Sequence, residues 1–127
     1  MDWTIRNDLP IYSQLVEQIK LGIVSGQFPP GERLASVRDM AAEAGVNPNT
    51  LQRALQELER EGLVFSQRTS GRFVTEDTEA IRQVKEALAW ERVGRFLSGM
   101  EQLGYDRETI VRLIQNSVEE EKDEFES

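Results

Sequence analysis

The four residues Gly45, Val46, Asn47 and Pro48 set the tightest limit on how this chain folds. Before them, Val37, Met40, Ala41 and Ala44 recur at helical spacing, Ser36 is a good N-cap, and Gly45 stands where a helix ends in a left-handed residue. After them, Asn47 is a favoured N-cap. Pro48 suits the first helical position, where its missing N–H would have no partner anyway. Leu51, Leu55 and Leu58 then form a narrow apolar stripe, and Gly62 closes the helix. So short a connection forces the two helices to cross at a steep angle, which is a helix-turn-helix.

The flanks complete a larger unit. From Pro10, the residues Ile11, Leu15, Ile19 and Ile23, with Val16 beside them, predict a first helix that Gly26, Pro29, Pro30 and Gly31 terminate. A short extended piece, ERLA, follows. Directly after the third helix, LVFSQRTSGRFVT changes period: Leu63, Val64 and Phe65 face Phe73 and Val74 across a polar turn ending in Ser70 and Gly71. A helix-turn-helix followed by a hairpin is a winged helix. The fold class is therefore mostly α with a small β-hairpin, a winged helix-turn-helix domain over residues 1–75.

Residues 76–127 predict a short two-helix dimerisation tail. One helical pattern runs from Thr78 to Gln102; another starts at Asp106, with Ile110, Val111, Leu113, Ile114 and Val118 on its apolar side. The longer helix carries Ile81, Val84 and Leu88 on one face and Val93, Leu97 and Met100 on a face turned far from it. One face can pack on residues 106–120 and the other on a second protomer, because a helical pair of this size buries too little by itself. Trp90, Val93, Phe96, Leu97, Met100, Ile110 and Ile114 are the expected dimer interface; the competing reading gives them to a core within one chain. The closing run EEEKDEFES is expected to be frayed and solvated.

Histidine and cysteine are both absent, which removes Ser–His and Cys–His nucleophilic sites, disulfides and most zinc sites. No glycine-rich phosphate loop is present, so neither an enzyme nor a cofactor is expected. No apolar run approaches the ~20 residues of a membrane span and no export signal opens the chain, as for a cytoplasmic protein. The net charge of −8 looks hostile to a nucleic-acid partner. Its distribution removes most of the objection. Residues 1–75 hold eight Lys or Arg against nine Asp or Glu, whereas residues 76–127 hold seven against fourteen. Binding responds to local potential within a Debye length of about 8–10 Å. The winged helix is close to neutral.

On the third helix, Asn49, Arg53, Gln56 and Arg60 lie opposite the leucine stripe and Gln52 on its flank. These are side chains that read base edges in a major groove, Asn and Gln at adenine and Arg at guanine. The helix acids Glu57, Glu59 and Glu61 come late, near its carboxyl end. The wing offers Arg68, Thr69, Ser70, Gly71 and Arg72 for phosphates or a minor groove. Arg38 stands two residues after the Ser36 cap, where helix N–H groups also favour phosphate. Taken singly, each feature is equally an ordinary solvated face or turn; together they share one surface.

The run PIYSQLVEQIKLGIVSGQFPPGERLASVRDMAAEAGVNPNTLQRALQELEREGLV, with the wing ending SGRFV, resembles the winged helix of the GntR family of bacterial transcription regulators. The short helical tail resembles the YtrA-like branch. The resemblance implies a homodimer that binds double-stranded operator DNA with inverted-repeat symmetry, usually as a repressor, and leaves room for an unidentified small-molecule effector. It further implies DNA contacts from Ser36 and Arg38, from Asn47, Pro48, Asn49, Thr50 and Gln52 at the start of the third helix, with Arg53 beside them, and from the wing around Gly71. That ranks Asn49, Thr50 and Gln52 above Gln56. Relatives often carry Arg where this chain has Pro48 and Gln52, and Pro where it has Ala35. A different class of function, in which the winged helix serves as a protein-interaction or DNA-mimic module, stands as the alternative.

Overall fold

In the computed structural model, which describes residues 1–126, the order of elements is α1 (Ile11–Val24), α2 (Val37–Ala44), α3 (Pro48–Arg60), β1 (Val64–Gln67), β2 (Gly71–Val74), α4 (Thr78–Gln102) and α5 (Arg107–Glu126). The chain divides into two compact units, Met1–Lys85 and Glu86–Ser127.

The first unit is the winged helix. Leu15, Ile19 and Ile23 of α1, Met40 and Ala41 of α2, and Leu51, Ala54, Leu55 and Leu58 of α3 are buried in one cluster with Leu34, Leu63, Val64 and Val74. Each helix thus inserts the stripe that its spacing predicts. Gly45 ends α2 at φ 70°, and the chain reverses into α3 within two residues. The hairpin is antiparallel, with Val64 opposite Val74 and Ser66 opposite Arg72. The extended piece before α2 adds to it: Leu34 N–H donates to Arg72 O at 2.9 Å and Val74 N–H to Glu32 O at 2.8 Å. The wing is thereby anchored along a third extended segment.

Two glutamines of α1 tie down the amino-terminal segment. Gln18 exchanges hydrogen bonds with both backbone groups of Thr4, at 3.1 and 2.6 Å. Gln14 does the same for Arg6, at 2.8 and 2.7 Å. Each side-chain amide stands in for a neighbouring strand.

Two expectations about the tail require correction. Ile81 and Val84 pack on the winged-helix cluster, so the first apolar face of α4 serves the core of the first unit. Their position explains it: α4 begins four residues after β2, with Asp77 accepting from Ala80 N–H at 3.0 Å to start the helix beside that core. The acidic run after residue 118 is helical through Glu126 rather than frayed, since Glu and Lys are good helix formers; Ser127 lies outside the described residues. In the second unit, among the described residues, only Ile110 is a buried hydrophobic. Among the described residues no helix is long and apolar enough to cross a membrane.

Candidate nucleic-acid interface

The leading end of α3 is built by its cap. Asn47 accepts from Asn49 N–H at 2.8 Å through its side-chain oxygen, and Pro48 occupies the first turn. Asn47, Pro48 and Asn49 are exposed; Thr50 and Gln52 are half-buried. The first turn of α3 therefore projects polar groups at the amino end of a helix whose opposite side is locked in the core. Ser36 caps α2 by accepting from Asp39 N–H at 3.1 Å, and Arg38 in the same turn is exposed.

The carboxylates at the carboxyl end of α3 and on its C-cap residue are each paired with a cation. Glu57 is bonded by Arg60, Glu59 by Arg72 at 2.8 Å, and Glu61 by Lys20 at 3.0 Å. The Arg60 guanidinium holds the Glu57 carboxyl below its usual value despite a little desolvation. Arg33, Arg38, Arg53 and Arg68, by contrast, have no carboxylate within salt-bridge distance among the described residues. The residual positive charge of the winged helix thus lies on these four side chains. Arg53 is not a loose reader, because its guanidinium sits 5.0 Å from the centre of the Tyr12 ring and leans on α1.

The wing partly departs from expectation. Arg68, Thr69, Ser70 and Gly71 are exposed at its tip. Arg72 is engaged with α3 rather than standing free at the tip. Its side chain is only 18% exposed, and it donates to Glu59 Oε1 at 2.8 Å and to Gln52 Oε1 at 2.9 Å. The alternation of the strand turns it from the tip towards α3. Sequence reasoning also missed Arg33. The Arg33 Nε lies 3.2 Å from where a Cβ on Gly71 would stand, so its guanidinium lies against the wing turn. Only the pairing of Arg33 with Phe73 reveals this, and no local spacing signals it.

The expected dimer residues fall into two groups. Trp90 is 69% exposed, Val93 and Phe96 are each 46% exposed and Ile114 41%, while Leu97 and Met100 are half-buried. Ile110 is fully enclosed by its own chain and has no surface to offer a partner. It drops out of the interface because it faces inward from the first turn of α5, just past the Asp106 cap.

The chain is similar to known proteins over most of its length. The family model described as "Bacterial regulatory proteins, gntR family" matches residues 11–74. YhcF of Bacillus subtilis (strain 168), an uncharacterized HTH-type transcriptional regulator, is 37% identical over 94% of this chain and 98% of its own length. YtrA of the same organism, an HTH-type transcriptional repressor, is 33% identical over 76% of this chain and 78% of its own. The solved structure of a GntR family transcriptional regulator from Listeria monocytogenes matches with a TM-score of 0.82 at 36% identity, covering 88% of this chain and 98% of that one.

Proposed function

Since this chain belongs to the gntR family of bacterial regulatory proteins, in its YtrA-like branch, and is a DNA-binding transcription regulator, we propose that it acts as a homodimeric repressor on an inverted-repeat operator. The first turn of α3 enters the major groove, with Asn49, Thr50 and Gln52 leading. Arg38, Arg33 and the wing tip at Arg68, Thr69 and Ser70 hold the flanking phosphates. The observation that carries this reading is the asymmetry of α3: an exposed, acid-free leading turn, followed by three carboxylates that are all paired. Side chains at a helix amino end are the ones that reach base edges when a helix-turn-helix docks.

Dimerisation is supported by the second unit. Trp90, Val93, Phe96, Val111 and Val118 are exposed on the helices of a unit that encloses a single hydrophobic residue among those described. An apolar surface of that kind needs a partner, and the two half-sites then lie about one helical turn apart.

Binding to duplexes selected from a random pool tests the reading. A dimer with about six to eight phosphate contacts gives a log–log salt slope near −5 to −7. Arg38→Ala weakens every duplex alike, whereas Gln52→Ala alters sequence preference. Failure to bind any duplex at low salt would favour the protein-interaction alternative. A monomer seen by light scattering at micromolar concentration would end the dimer.

A further inference from the structure

Arg72 sits in the middle of β2, yet it contacts two residues of α3 that are two helical turns apart on one face, Gln52 and Glu59. Its Nε donates to Glu59 Oε1 at 2.8 Å and its Nη1 to Gln52 Oε1 at 2.9 Å. Ser66, opposite Arg72 in the hairpin, donates to the same Glu59 oxygen. The wing is therefore bolted to the reading helix at the residue expected to touch a base.

A guanidinium carries only donors, so the Gln52 atom facing it must be the carbonyl oxygen. That settles which way the amide points. Gln52 Nε2 has no acceptor within hydrogen-bond distance among the described residues, and it is the part of the amide left for an outside partner. An unrestrained glutamine offers one donor and one acceptor, the pair that matches the N7 and amino group of adenine. A glutamine oxygen that accepts from a cation keeps a second lone pair, but the guanidinium beside it repels a further donor, so the N–H groups are what the amide offers best. Guanine presents two neighbouring acceptors, N7 and O6, which the single nitrogen of a lysine can already satisfy; adenine would set its amino donor against another donor.

We infer that Arg72 is a positioning residue that makes Gln52 a hydrogen-bond donor, so that each half-site carries guanine rather than adenine where Gln52 meets the major groove. The inference rests on the operator-reading function proposed above and specifies its base preference. It also moves Arg72 from phosphate binding to specificity.

The test is selection of bound duplexes from a random pool, followed by isotherms on guanine and adenine versions of the selected site. The full chain is used, as wild type, Gln52→Ala, Arg72→Met and Arg72→Lys. The wild type should prefer guanine about tenfold at one position per half-site, and Gln52→Ala should abolish that preference. Arg72→Met removes both bonds, and Arg72→Lys keeps the charge but loses the planar fork whose Nε and Nη1 hold Glu59 and Gln52 from separate atoms. Both should lose the guanine preference or reverse it towards adenine, with an unchanged salt slope. The lysine variant carries the decision if the methionine variant does not fold. Three results would overturn the inference: guanine preference retained in Arg72→Lys, a wild-type preference for adenine, or uniform weakening with the salt slope reduced by about one. A wild-type protein that recovers no duplex defeats the operator reading itself, whereas one sensitive at Gln52 but indifferent at Arg72 defeats only this inference.

Discussion

Glu59 Oε1 receives both the Ser66 hydroxyl and the Arg72 guanidinium, and this one atom joins the wing to α3. Partial burial pushes its carboxyl up, while Ser66 and Arg72 pull it down harder, leaving it below its ordinary value of 4.5. As pH falls, the unfolded chain therefore takes up this proton before the folded one does. The stabilisation is complete above about 4.5 and is lost as pH drops through the lower folded value. Glu59→Gln should lower stability by on the order of 1 kcal/mol near neutral pH, since solvent still screens the pair. Urea unfolding followed by circular dichroism should show that difference closing as pH falls below 4.5 and through the lower folded value; a gap independent of pH would mean the carboxylate contributes by packing alone. At the same scale, what sequence conceals is direction. Arg72 looks like a wing-tip cation until the strand register turns it onto Gln52, and Ile110 looks like its neighbour Ile114 until the backbone shows which one is enclosed.

Elements begin where a side chain satisfies an N–H that the helix itself cannot. Asn47→Ala should cost about 1 kcal/mol of winged-helix stability, read by thermal unfolding, and should weaken DNA binding by loosening the leading turn of α3. In the wing, Gly71 has φ 107°, and a Cβ there would stand 3.2 Å from Arg33 Nε. Gly71→Ala should strain the turn by about 1–3 kcal/mol and weaken operator binding without altering base preference, as competition isotherms would show. The extents of α2, α3 and α4 and the presence of the hairpin were legible because caps, glycines and changes of period are local signals; the strands run further into the polar segment, to Gln67 and from Gly71, than their β-formers indicate. Ser36, Asn47 and Asp106 each accept from an N–H two or three residues ahead. What bridges distant parts of the chain had no such signal: the strapping of Thr4 and Arg6 by Gln18 and Gln14, the approach of Arg33 to Gly71, and the settling of Ile81 and Val84 on the winged-helix core.

At the scale of the whole molecule, the two units differ in charge as well as in burial. Most of the net negative charge follows residue 75, while the winged helix carries its unpaired guanidiniums at Arg33, Arg38, Arg53 and Arg68. In the proposed dimer, Phe96→Glu places a charge in the apolar surface that joins the protomers. Light scattering should then report a monomer with the winged helix still folded. Operator affinity should fall about a hundredfold, because the second half-site no longer binds as part of the same particle; an unchanged dimer would move the interface elsewhere. Among the described residues Ile110 alone is an enclosed hydrophobic of the second unit. Helices that gain their core only on meeting a partner make protomer concentration a variable of folding itself. If the chain acts as the dimer proposed above, occupancy of the operator rises more steeply than the amount of protein made, and the gene's own dosage becomes part of the regulatory signal.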